Sequence, residues 1–358
     1  MRVAIVGAGP IGRATAAYLA HHGHTAGLWS PSGASLAGLA RDGETGLTLT
    51  YEGALSGRVS LQRIPRASDL GGYEVVLIAL PGHAYPAILP EVVERLRGDQ
   101  LVVVSGALSL APLWIRERMA ARATPAVVVG WGTTLGTARR TPTADVKLNT
   151  LRTRFDMAAV PASAGEAARE TCRTLFGDRF NLADNVLGVS LANVNPIAHA
   201  AETLPNLTRI DREEDWPLFH YCTASASRLC SSLDVERIRV AAAFGQQVRS
   251  IEEHYRLSYH VDGVDIASIA EAIHAKYQGP LGPKTLEHRY VLEDVPFGLV
   301  YIEALAHCAG TPVPHISSAI TLLSSACGRD FRADNPLLAD LAIARSTPEA
   351  LLTRCRSG

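Results

Sequence analysis

The sequence predicts a doubly wound α/β domain followed by an all-α C-terminal domain, and three observations predict it. An apolar, β-branched run from Arg2 to Val6 leads through a glycine-rich turn into an alanine-rich helix, Arg13 to His22. Strand-like and helix-like segments then alternate as far as Leu182, the pattern of a parallel sheet with right-handed crossovers. From about Asp184 onward, apolar residues recur at helical spacing over long stretches instead. A chain of 358 residues exceeds one ordinary core, so two domains are expected, residues 1–182 and residues 183–358.

After the first helix, His24 to Trp29 read as the second strand and Ser35 to Arg41 as a helix. Leu47 to Tyr51 and Val59 to Gln62 are short strands, Glu74 to Leu80 is a strongly apolar strand, and Pro90 to Leu96 is a helix. Leu101 to Ser105, Pro125 to Val129 and Phe155 to Val160 supply further strands, and Ala164 to Leu175 is the last helix of the first domain. In the second half the helices are Val186 to Ala201, Ser225 to Phe244, Asp265 to Tyr277, Gly298 to Cys308 and His315 to Cys327. Asp184 stands where it would cap the first of them.

The composition is 47% hydrophobic and 19% charged with a net charge of −1, which gives no electrostatic case for nucleic acid or an anionic membrane as partner. No signal peptide precedes the first strand and no run of about 18 apolar residues suggests a membrane span, so a cytoplasmic location is expected. The six cysteines show neither CxxC spacing nor a metal-ligand pattern; they read as reduced thiols, and no metal is expected. Lysine occurs only at Lys147, Lys276 and Lys284, which limits any mechanism that needs one.

Gly7-Ala8-Gly9-Pro10-Ile11-Gly12 follows the first strand directly and opens the first helix, the setting that a Rossmann-type dinucleotide fingerprint requires. Gly7 permits the tight turn, Gly9 lets the backbone approach a pyrophosphate, and Gly12 lets helix and strand pack. Pro10 and Ile11 complete the turn, since an early helix position has no N–H partner to lose. At the end of the second strand, Leu28-Trp29-Ser30-Pro31-Ser32 lacks the acid that normally takes the adenosine ribose hydroxyls. Ser30 and Ser32 can donate to a 2′-phosphate and Arg41 can add charge, so NADP(H) is favoured while NAD(H) stays open.

Hydride transfer to a carbonyl or imine calls for a proton donor that titrates near neutrality, and histidine does so with little tuning. His199 stands apart from most others because it follows Asn193 and Asn195 in an otherwise apolar stretch that begins at Val186. On a helix Asn195 and His199 are four apart and share a face, with Pro196 kinking or starting that helix. Asp294 lies in the segment from Arg289 to Val300, too polar for a core and too apolar for a free loop. A carboxylate on one ring nitrogen sets the tautomer and stabilises the imidazolium. A satisfied core histidine, and an Asp–Arg ion pair within the segment, are the structural alternatives.

Together, Asn193-Val194-Asn195 with His199, and Arg289-Tyr290-x-x-Glu293-Asp294-Val295-Pro296-Phe297-Gly298-Leu299-Val300, resemble the opine dehydrogenase family of the octopine/nopaline type. The likeness runs from the N-terminal turn to about Phe331. It implies NAD(P)H-dependent condensation of an amino acid with a 2-oxo acid such as pyruvate. It also implies His199 and Asp294 as the catalytic pair, and Arg289 with Asn195 as substrate-binding residues. Two rival classes share the architecture: a ketopantoate-reductase or hydroxy-acid-dehydrogenase type, which relies on a catalytic lysine, and a non-catalytic NADP sensor. The long helices of the second domain also allow a homodimer.

Overall fold

Alternation in the first half resolves into one twelve-stranded sheet in the computed structural model, which describes residues 1–358. The strands are β1 (Arg2–Val6), β2 (Thr25–Trp29), β3 (Ala40–Asp42), β4 (Gly46–Gly53), β5 (Gly57–Arg63) and β6 (Val75–Ile78). They continue with β7 (Leu101–Val104), β8 (Val127–Trp131), β9 (Gly136–Arg139), β10 (Val146–Leu151), β11 (Phe155–Val160) and β12 (Phe180–Leu182). Their order is β12-β11-β8-β7-β6-β1-β2-β5-β4-β10-β9, with β3 on β4. From β8 to β5 every neighbouring pair is parallel, and β1 lies between β2 and β6. That arrangement makes β1 the place where the winding reverses, and ligands of such sheets bind beyond the strand ends there.

Antiparallel pairing enters on both sides of this parallel run. β4 and β5 form a hairpin, β10 runs against β9, and β11 runs against β8. The helices of this unit are α1 (Pro10–His21), α2 (Tyr85–Val93), α3 (Ala111–Ala121), α4 (Gly165–Phe176) and α5 (Val186–Leu191). The expected helix from Ser35 to Arg41 does not form. Gly38, at φ +88°, interrupts it, leaving one short turn over Ala34–Leu36 and then β3, which carries Arg41. The helix expected from Pro90 instead begins at Tyr85, and α3, β9, β10 and β12 come in addition to the predicted elements.

The chain forms two compact units, one of Met1–Ser190 with Leu352–Gly358 and one of Leu191–Leu351. The division therefore falls after Ser190, where the sequence suggested Leu182. α5 belongs to the first unit because Val189 packs within 3.5 Å of the space above Gly132, and Asn185, not Asp184, caps it by accepting the Leu187 and Gly188 N–H groups. The last residues join the first unit through Arg354, which pairs with Glu117 at 2.7 Å.

The second unit contains α6 (Asn195–Thr203), α7 (Leu207–Asp211), α8 (Ala224–Ala243), α9 (Ile251–Tyr259), α10 (Ile266–Tyr277), α11 (Arg289–Leu292), α12 (Val300–Cys308) and α13 (Pro314–Cys327). The single helix expected over Val186 to Ala201 is broken before α6, where Asn193 Oδ1 accepts the Asn195 N–H at 3.0 Å and Pro196 occupies the first turn. α8 is anchored by the fully buried Arg237, which pairs with Asp234 at 2.7 Å and donates to the Leu191 carbonyl. Between α11 and α12 the backbone makes a π-helical turn over Val295–Leu299, a geometry often found beside functional sites.

Candidate active site

In the first unit the glycine turn sits at the carboxyl end of β1. Gly7 has φ +107°, and a Cβ there would lie 2.5 Å from the Ala79 carbonyl oxygen. One on Gly12 would lie 1.9 Å from the Gly7 carbonyl oxygen, so both positions exclude a side chain. Above Gly9 nothing comes within 4 Å, and the first turn of α1 has neither a side-chain cap nor an acid. Free first-turn N–H groups, the helix dipole and open backbone fit a dinucleotide pyrophosphate.

The loop after β2 is less uniform than the sequence suggested. Ser30 is buried, whereas Ser32 is exposed and its Oγ accepts the Ala34 N–H at 3.3 Å, so it also shapes the turn. Arg41 is exposed on β3. Two arginines that the sequence did not single out reach this loop. Arg13 donates to the Ala8 and Ser35 carbonyls at 3.0 and 2.6 Å, and Arg140 approaches the Ser35 carbonyl at 3.4 Å from 105 residues away along the chain. Such separation leaves no local signal for Arg140.

In the second unit His199 Nδ1 and Asp294 Oδ2 are 2.7 Å apart, with side chains only 9% and 3% exposed. The two sequence blocks interlock to set that distance. Pro196 packs directly over Gly298, where a Cβ would fall 2.2 Å from the proline Cγ. Asn335 Nδ2 donates to the Pro296 carbonyl at 2.9 Å and holds the π-helical turn from behind. Tyr290 stacks on the His199 ring at 3.5 Å between centroids, with an interplanar angle of 12°. Burial lowers the His199 pKa, Asp294 opposes that by charge and hydrogen bond, and Arg289 adds to the lowering. The imidazole is thus buried, oriented and held in one tautomer, with Nε2 left for chemistry.

Asp294 pairs with the histidine, and the Asp–Arg alternative does not form. Arg289 opens α11, is exposed, and lies 5.6 Å from the centre of the Tyr290 ring. Asn195 is exposed at the start of α6, four residues before His199 on the same helix. Lys276 and Lys284 are exposed and have partners outside this arrangement: Lys276 Nζ donates to the His260 carbonyl at 3.0 Å, and Lys284 pairs with Asp215 at 2.7 Å.

Three residues here were not recognised from sequence. Tyr290 forms the stacking floor just described. His288 is half-buried; its Nδ1 accepts the Tyr290 N–H at 3.3 Å and its ring meets Tyr290 edge to face at 4.5 Å. Burial, and then the charges of Arg289 and His199, hold its pKa down to about 4, so the ring is neutral at pH 7. Tyr290 sits inside the block containing Arg289 and Asp294 and His288 immediately precedes it, so proximity in sequence was the available signal. Glu202, one turn after His199 on α6, is buried with Oε2 lacking any hydrogen-bond partner, and burial pushes its pKa up to about 8. Nothing in the local sequence shows that this carboxyl faces inward.

The chain is similar to known proteins. The family model of the NAD/NADP octopine/nopaline dehydrogenase alpha-helical domain matches residues 182–327, and that of the coenzyme F420-dependent NADP oxidoreductases matches residues 2–107. An opine dehydrogenase of Arthrobacter sp. (strain 1C) is 29% identical over 354 residues, covering 96% of both chains. The ocs protein of Agrobacterium tumefaciens (strain Ach5) is 24% identical over 79% of this chain and 78% of its own. Among solved structures, an octopine dehydrogenase in complex with NADH and agmatine superposes with a TM-score of 0.79 at 16% identity, over 99% of this chain and 98% of that one.

Proposed function

The chain belongs to the opine dehydrogenase family of the octopine/nopaline type, and from that premise we propose that it reductively condenses an amino acid with a 2-oxo acid such as pyruvate. It is an NAD(P)-dependent oxidoreductase acting on CH–NH bonds, and its product is an N-(1-carboxyalkyl) amino acid. What carries this proposal is the buried His199–Asp294 pair beside an arginine that has no acid of its own.

Amine and oxo acid condense to an imine with loss of water. When bound at the glycine turn, the reduced nicotinamide dinucleotide supplies the hydride that reduces the imine carbon. His199, as the imidazolium, keeps its Nδ1 proton toward Asp294 and gives its Nε2 proton to the departing oxygen, which leaves as water; the neutral ring then accepts a hydrogen bond from the nitrogen at Nε2. Asp294 keeps the ring in that tautomer and stabilises the imidazolium formed when the proton returns. Arg289 offers a planar pair of N–H donors to a substrate carboxylate, and Asn195 adds a polar group on the face of α6 that carries His199. The interlock of Pro196 with Gly298 keeps these groups in register.

NADP(H) is the proposed cofactor. Its support is the absence of a carboxylate at the end of β2 and the presence of Ser30, Ser32 and the guanidinium of Arg140 around that loop. The free state of all six cysteines supports the reducing cytoplasm as the compartment. A homodimer is proposed through the helical unit, where Leu257, Val264 and Leu322 are exposed, and light scattering tests it.

The deciding experiment screens NADPH and NADH oxidation over pairs of amino acids and 2-oxo acids, with mass detection of the secondary amine. A secondary amine dicarboxylate formed faster with NADPH is the expected result. Formation of a 2-hydroxy acid alone would make the protein a carbonyl reductase, and no oxidation with any pair would make it a sensor. Lys276→Ala and Lys284→Ala are expected to retain activity, as their surface partners imply.

A further inference from the structure

The segment between α10 and α11 places a second imidazole beside the first. His288 and His199 both contact Tyr290, one edge to face and one stacked on its face, and the charge of His199 bears on the His288 ring. The Tyr290 N–H occupies His288 Nδ1 as acceptor, so the ring's only proton sits on Nε2. That N–H has no partner within the chain, and His288 is next to Arg289, whose guanidinium is likewise without an acid.

We propose that His288 is a substrate-binding residue, donating its Nε2–H to a substrate carboxylate beside the Arg289 guanidinium. The inference rests on the opine dehydrogenase chemistry proposed above, in which either co-substrate can bring the carboxylate. A neutral donor with one fixed tautomer suits this role, because it orients the anion without a second positive charge close to His199. Arg289 supplies charge and His288 supplies direction. The same histidine caps α11, so binding and local structure are coupled through a single ring.

The test compares H288N, H288D and H288A. Asparagine keeps an acceptor for the Tyr290 N–H and an N–H donor; aspartate keeps only the acceptor and brings negative charge; alanine keeps neither. Each is assayed by varying the oxo acid at saturating amino acid, then the reverse, then with a primary amine lacking the carboxylate. The expected result is a KM about 10- to 100-fold higher for one co-substrate in H288A. The rise should be at least as large in H288D, and H288N should recover most of the loss. Whichever KM moves identifies whose carboxylate is bound, and if it is the amino acid's, the defect disappears with the plain amine. If H288D matches H288N, or if neither KM moves in any variant, the histidine is only a helix cap and the proposal fails. Because H288D and H288N both preserve the cap, their comparison decides the matter even if H288A does not fold. Product formation by the unsubstituted enzyme is measured first, so failure of the parent chemistry shows separately.

Discussion

Replacing Asp294 with asparagine changes a charge and almost no volume, which isolates what the carboxylate does for His199. In the native structure Oδ2 is 2.7 Å from Nδ1, and both side chains are nearly sealed from solvent. Burial lowers the imidazole's pKa and Asp294 is the chief opposing influence, so losing its charge lowers that pKa further. Asparagine's Nδ2–H would also donate to Nδ1 and move the ring proton to Nε2 in the neutral state. Breaking a buried charge pair costs about 3–5 kcal/mol, which in a transition state that carries an imidazolium corresponds to roughly 10²- to 10⁴-fold in rate. The assay is steady-state oxidation of NADPH by an oxo acid and amine across a pH series, with thermal unfolding measured in parallel. In the reductive direction His199 acts as an acid, so the rate falls as pH rises through its pKa. That fall should begin at lower pH in Asp294→Asn. A loss smaller than about tenfold, or an unshifted pH profile in a folded variant, would refute the role given to the carboxylate.

Glu202→Gln should remove a pH dependence of stability. Because burial raises the folded-state pKa from 4.5 to about 8, the native protein keeps a proton that the unfolded chain releases over that interval. Wild-type stability therefore declines between those values by about 1.4 kcal/mol per pH unit relative to the glutamine variant. Urea unfolding at several pH values should show the gap widening, and a constant gap would contradict it. Gly298→Ala drives a methyl into Pro196 and should cost about 1–3 kcal/mol, seen as a lower unfolding temperature together with lower kcat. Gly9→Ala has open space and an ordinary φ of −70°, so it should fold normally yet raise the KM for the dinucleotide, whereas Gly12→Ala collides with the Gly7 carbonyl and should reduce stability as well. Equal unfolding temperatures for the two glycine variants would argue against this division of roles.

Several features of this protein were set by local sequence alone. The order strand, glycine turn, helix needs only a β-branched run, two glycines whose Cβ atoms would meet backbone oxygens, and a proline at the first helical turn. The long helices α8, α10 and α13 follow from apolar periodicity and were expected within a residue of their observed ends. His199, Asp294 and Arg289 stood out because unusual residue types were concentrated in short blocks. Other features depended on atoms brought together from distant parts of the chain. β10 took its place beside β4, with Val146 against Tyr51, and β11 ran against β8, with Met157 against Trp131. That His199 meets Asp294 rather than Arg289 pairing with the acid was decided by Pro196 seating on Gly298, a contact across about a hundred residues of sequence. The neutral state of His288 and the raised pKa of Glu202 were decided the same way. Both come from desolvation, which depends on what surrounds a group in three dimensions and leaves no trace in its sequence neighbours.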